Sequence, residues 1–243
     1  MKILSIGNSF SQDAHHYLHQ LAKEDGEQFK CVNLCIAGCS LRTHYLNMLD
    51  NVSAYYLEFN GENTGVKVSL SQVLASDDWD VVTLQQASWT SAKEESYFPY
   101  IEELANYVKK YCPRAKIYIH QTWAYEDGSE RLTKVAGYDS AKAMFLDVQK
   151  AYEKAAKAIH ADGIIPCGEV MLKALSLGIE KVHRDTLHAS LVVGRYLLAL
   201  TWYKSLTGKD ITNNRFDCLD ASLSEKDREL VIKAVNSIQE KAF

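Results

Sequence analysis

The chain opens on an apolar run, Ile3-Leu4-Ser5-Ile6, that stops at Gly7-Asn8-Ser9 and gives way to a helical pattern. A short β-rich run closed by a glycine turn that starts a helix is the first half of a βαβ unit. The rhythm recurs. Further strands are expected at 31–37, 79–85, 116–120 and 163–166, and helices at 13–24, 41–49, 100–111, 141–159, 188–206 and 224–241. Near-continuous apolar strands alternating with helices imply a parallel sheet covered on both faces. Right-handed crossovers then give a three-layer α/β/α sandwich with a five-stranded parallel sheet in flavodoxin-like order. One stretch breaks the pattern. Residues 55–69 alternate around Asn60-Gly61 and read as an inserted β-hairpin. No repeat, linker or low-complexity segment divides the chain, so a single domain spanning 1–243 is expected.

Composition narrows the function classes. The chain is 47% hydrophobic and 24% charged, which suffices for a full core. Its net charge is −4 with the signs interspersed, so the clustered basic face of a nucleic-acid binder is missing. Lys109-Lys110 reads as the solvated side of a helix. No window is long and apolar enough for a membrane span, and Lys2 is followed by too short an apolar run for a signal peptide. A cytoplasmic location is expected for the chain as it stands, and a periplasmic or secreted one if a leader has been removed.

Six cysteines, Cys31, Cys35, Cys39, Cys112, Cys167 and Cys218, form no C-x-x-C pair. Most lie in apolar runs and read as buried free thiols, with a redox role for the first three as the minor alternative. His15 and His19 stand one helical turn apart, but no third ligand is evident and no metal site is expected. Neither G-x-G-x-x-G nor G-x-x-x-x-G-K-[ST] occurs, so no nucleotide cofactor is expected. Nothing in the sequence fixes an oligomeric state.

Two places carry the residue types of nucleophilic catalysis. Ser9 ends the first strand, at the sheet edge where open α/β folds bind ligands. Far along the chain, Asp185-Thr186-Leu187-His188 sets an acid three residues ahead of a histidine. A serine needs a base to take its proton, and a carboxylate fixes the tautomer of an imidazole base. Each feature alone reads more readily as a helix cap. His183 is the rival base. Glu169, after the fifth strand, reads as a carboxylate at a helix start.

Taken together, the order is Gly-Asn-Ser after the first strand, Gly38 after the second, an amide pair after the third and D-x-x-H near the C-terminus. It resembles the SGNH hydrolases, the GDSL-like esterases and lipases, in an uncharacterised bacterial branch. The resemblance runs from Gly7 to His188. It implies Ser9 as nucleophile, His188 as base and Asp185 as the acid that orients it. It implies an oxyanion hole from the N–H groups of Ser9 and Gly38 and a side-chain amide. The serine block has Asn8 where the family pattern has Asp. The third block has Leu84-Gln85-Gln86 where the pattern is G-x-N-D, so the amide falls to Gln85, with Gln86 second. Trp89, Trp123 and Tyr125 sit in loops at the same edge and are expected to line a substrate pocket. The implied activity is hydrolysis of a carboxylic ester through an acyl-enzyme, with a short acyl group on a carbohydrate as the expected substrate. A non-catalytic carbohydrate-binding or scaffold protein on the same fold is the alternative; a flavodoxin-like cofactor binder has less support.

Overall fold

The structure, a computed structural model, describes residues 1–238; the end of the helix expected at 224–241 lies outside them. The described residues contain one seven-stranded sheet. Its strands are β1 (Lys2–Gly7), β2 (Lys30–Cys35), β3 (Tyr55–Phe59), β4 (Glu62–Val68), β5 (Val81–Leu84), β6 (Lys116–His120) and β7 (Gly163–Ile165). They lie in the order β4-β3-β2-β1-β5-β6-β7. The parallel strands β2-β1-β5-β6-β7 keep the flavodoxin-like order.

The expected five strands become seven because the hairpin joins the sheet. Strand β3 pairs antiparallel with β2, Val32 opposite Phe59 and Cys35 opposite Tyr56, which occupies the otherwise open edge of β2. Asn60 and Gly61 make its turn with φ of +50° and +89°, the left-handed pair that a two-residue hairpin requires. Gly61 is also forced by contact, since a Cβ there would lie 2.8 Å from the His16 carbonyl oxygen.

The helices are α1 (Ser9–His15), α2 (Leu18–Glu24), α3 (Leu41–Leu49), α4 (Leu70–Leu74), α5 (Tyr100–Tyr111), α6 (Ala141–Ala158), α7 (Cys167–Ser176), α8 (Val193–Thr207) and α9 (Glu225–Asn236). Alternate strand residues feed two cores. Leu4, Ile6, Val82, Leu84 and Ile117 pack with α3, α4, α5 and α6. Ile3, Cys31, Val81 and Ile165 pack on the other face with α1, α2, α7, α8 and α9.

Two expected helices change. The one at 13–24 begins earlier, at Ser9, and divides at His16 and Tyr17; the Tyr17 hydroxyl donates to the Leu191 carbonyl at 2.9 Å. The one at 188–206 begins only at Val193, because Arg184–Ala189 forms a loop closed by a bridge between His183 and Ala189.

Beneath α1 the sheet is polar. Ser5, Asn33 and Thr83 sit side by side in register and are buried. Ser5 Oγ lies 2.8 Å from His15 Nε2, Thr83 donates to Ser5 at 2.8 Å, and Ser11 donates to Asn33 Oδ1 at 2.8 Å. An apolar row would let α1 slide; these directional bonds fix the helix that carries Ser9.

Candidate active site

The site starts from a backbone constraint at Gly7. A Cβ there would sit 2.2 Å from Ser11 Oγ and 2.9 Å from Gln85 Oε1, so the chain turns at a residue with no side chain. Asn8 then caps α1. Its Oδ1 accepts the Phe10 N–H at 3.0 Å, and Ser11 Oγ accepts the Asn8 N–H at 3.1 Å. Ser9 is the first residue of the helix, half-buried at the C-terminal end of β1, with a backbone N–H that has no intrahelical acceptor.

Ser9 Oγ lies 2.9 Å from His188 Nε2, although 179 residues separate them. His188 Nδ1 lies 2.8 Å from Asp185 Oδ2. A carboxylate only accepts, so Nδ1 carries the ring proton and Nε2 is left to accept the Ser9 hydroxyl. The other Asp185 oxygen accepts the backbone N–H of His188 at 2.7 Å and of Leu187 at 3.2 Å. Burial alone would raise the Asp185 carboxyl. The bonds from the His188 backbone and ring outweigh it and hold the group down at about 2.

The loop bearing this pair is anchored by residues that the motifs do not include. Asp13 is fully buried in α1 and faces two guanidinium groups. Arg184 Nη1 donates to both Asp13 oxygens at 2.9 Å, and Arg195 Nε donates at 2.9 Å. Asp13 Oδ2 also accepts the Ala189 N–H at 3.2 Å, and Arg184 donates to the Ala189 carbonyl. Asp13 lies on the stripe of Phe10, Ala14 and Tyr17, and an acid on an apolar helix face needs buried cations. That stripe was the available signal.

Across the crevice, Ile36–Cys39 forms a tight turn, with the Cys39 N–H bonded to the Ile36 carbonyl at 3.1 Å and φ of +61° at Gly38. Gly38 is exposed, and its N–H has no partner among the described residues. Gln85 is buried at the end of β5. It donates to Asn8 Oδ1 at 2.7 Å and accepts from His120 Nδ1 at 2.8 Å, which leaves one amide N–H uncommitted. Gln86 must be corrected as the second-choice donor. Its Nε2 donates to the Ser96 carbonyl and hydroxyl at 3.0 and 3.1 Å, and its Oε1 accepts the Leu41 and Ala87 N–H groups at 2.9 Å.

The expected aromatic pocket also changes. Trp123 is 1% exposed, stacks on Phe10 with centroids 4.0 Å apart and donates to the Leu187 carbonyl at 2.8 Å. Phe10 in turn meets the His188 ring edge-on at 5.9 Å, so Trp123 props the loop carrying His188 from within. Tyr125 is buried too, and with Trp123 it lines a cavity of about 270 Å³ whose walls include neither Ser9 nor His188. Trp89 is 62% exposed, and its indole N–H reaches the Gly38 carbonyl at 3.3 Å.

The remaining candidates are occupied elsewhere. His183 is buried against the Ala124 carbonyl at 3.1 Å. His15 faces Ser5, whereas His19 Nδ1 lies 2.6 Å from the Phe29 carbonyl oxygen. Glu169 stands in the first turn of α7. Burial pushes the thiols of Cys35 and Cys39 up to about 12, so neither supplies a thiolate near neutrality.

Residues 2–236 match the family described as a domain of unknown function, DUF4886. The chain belongs to the DUF4886 family. A crystal structure of a DUF4886 family protein from Bacteroides uniformis ATCC 8492 is 32% identical, with a TM-score of 0.88 over 98% of this chain and 93% of that one. A candidate SGNH hydrolase from Slackia heliotrinireducens is 25% identical, with a TM-score of 0.62 over 85% of this chain and 98% of that one. Axe2, an acetylxylan esterase from Geobacillus stearothermophilus, is 15% identical, with a TM-score of 0.53 over 84% of this chain and 92% of that one. No curated protein matches the sequence. This DUF4886 chain therefore has the SGNH hydrolase fold. Among the described residues, no helix is long and apolar enough to cross a membrane.

Proposed function

We propose that the protein is a serine esterase of the SGNH type. The observation that carries this reading is the continuous run of bonds from Ser9 Oγ through His188 to Asp185, at 2.9 and 2.8 Å. His188 Nε2 takes the Ser9 proton as Oγ attacks the ester carbonyl. The negative charge gathers on the carbonyl oxygen, where the N–H groups of Ser9 and Gly38 and the remaining N–H of Gln85 receive it. The imidazolium, steadied by Asp185, gives its proton to the departing alcohol and leaves an acyl group on Ser9. Water then attacks that ester with His188 again as base, and the acid departs.

A short acyl group on a carbohydrate is the proposed substrate. An exposed indole beside the Gly38 turn suits a sugar ring, and the fold likeness extends to an acetylxylan esterase. Hydrolysis of p-nitrophenyl acetate tests the activity. The wild type is expected to turn over, and Ser9→Ala and His188→Ala to lose about a thousandfold or more. Equal rates in all three proteins contradict the proposal.

A further inference from the structure

The two oxyanion-facing backbone groups of this reading stand on separate turns. Ser9 follows β1 and Gly38 follows β2. Asn8 spans them. Its Nδ2 donates to the Cys39 carbonyl at 3.1 Å, while its Oδ1 accepts from the Phe10 N–H and from Gln85 Nε2. Behind it, Gln85 is held by His120, so a line of amides runs from the core to the Gly38 turn. Asn8 is 2% exposed, and water cannot stand in for any of these partners.

We infer that Asn8 is a positioning residue that sets the spacing between the Ser9 and Gly38 N–H groups, and that its amide, not a carboxylate, is required. The inference rests on the proposed esterase reading. Both side-chain ends are specified. Oδ1 faces two N–H donors, and Nδ2 faces a carbonyl oxygen. An aspartate would keep the first set and put a bare oxygen against the Cys39 carbonyl, two acceptors in contact in a buried place. The departure from the usual Gly-Asp-Ser block is therefore matched to the Cys39 carbonyl, which needs a donor. Restoring Asp at position 8 damages the enzyme, contrary to what the family pattern alone implies.

Two variants separate this strut from the helix cap. Asn8→Ser still caps α1 but is too short to reach Cys39. Asn8→Asp caps well and retains the shape. The experiment measures kcat and KM on p-nitrophenyl acetate, affinity for an alkyl boronic acid that mimics the tetrahedral intermediate, and thermal midpoint. Both variants are expected to lose kcat and boronate affinity ten- to a hundredfold, with KM changed less than about threefold. The stability gap of Asn8→Asp closes as pH falls, because a protonated carboxyl donates to the Cys39 carbonyl. Wild-type kcat and boronate affinity in both variants overturn the inference and leave the esterase reading standing. Loss confined to the thermal midpoint in Asn8→Ser also overturns it. A wild-type protein with neither turnover nor boronate binding removes both readings.

Discussion

Asp185 grips His188 twice, through the backbone N–H at 2.7 Å with one carboxylate oxygen and through ring Nδ1 at 2.8 Å with the other. The first bond shapes the loop, and the second fixes the ring and its tautomer. Asp185→Asn separates these roles. The amide oxygen still accepts the backbone N–H, while the amide nitrogen donates to ring Nδ1 and moves the proton to Nε2, where it faces Ser9. We expect a fold unchanged by circular dichroism and a kcat lower by about four orders of magnitude. A loss under tenfold contradicts the assignment.

The Asp185 carboxyl, held at about 2, stays ionised throughout the range in which an imidazole titrates. Asp185 is therefore expected to contribute no step to the acid limb of a kcat/KM profile. A pH–rate profile is expected to show a single-proton acid limb. A two-proton limb overturns this account.

Asp13 binds Arg184, Arg195 and the Ala189 N–H, and so connects the helix led by Ser9 to the loop carrying His188. Removing the acid leaves two cations with a buried vacancy. Asp13→Ala is expected to cost about 3–5 kcal/mol in denaturant unfolding. The milder Asp13→Asn keeps an acceptor and should lose activity out of proportion to stability as the loop loosens. Unchanged stability in Asp13→Ala contradicts the anchoring role.

Burial pushes His15, His44 and His120 down to about 3. Above the ordinary histidine value, near 6.5, these rings are neutral whether folded or unfolded and contribute no pH dependence. Below it the unfolded chain takes up protons that the folded one refuses. Stability therefore falls from about pH 6.5 toward pH 3, by up to roughly 1.4 kcal/mol per unit for each ring. Urea melts at pH 7, 6 and 5 check the slope, and His44→Phe, which stays stacked on Tyr55, should reduce it by one proton's share. A slope unaltered by that change counts against the burial argument.

Trp89 is the exposed aromatic beside the Gly38 turn. Trp89→Ala is expected to raise KM for an acetylated xylo-oligosaccharide up to about tenfold, the worth of one lost stacking contact. KM for p-nitrophenyl acetate should stay within twofold. Equal changes for the two substrates contradict a sugar platform.

Much of this was legible in the sequence because the parallel strands are buried on both faces and announce themselves as apolar runs. Gly7 was readable from turn chemistry, whereas Ser9, Asp185 and His188 stood out through the joint order of the motif blocks, which resembles the SGNH pattern. Part of what sequence missed depends on contacts between distant segments. The hairpin's alternation showed that it is β, but not that β2 left an edge for it. The start of α8 lies at Val193, beyond the loop at 184–189 that bonds to Asp13 and Asp185 hold. Trp123 read as a pocket-lining aromatic by its place after β6, and its packing on Phe10 with its bond to the Leu187 carbonyl turns it inward.

In the proposed reaction the Ser9 hydroxyl is activated by an imidazole from the far end of the chain. Peptide mass spectrometry after treatment with a fluorophosphonate tests it most directly. One adduct is expected, on Ser9, forming in the wild type and failing to form in His188→Ala. Hydrolytic activity with Ser9 unmodified, or equal labelling with and without His188, would contradict it.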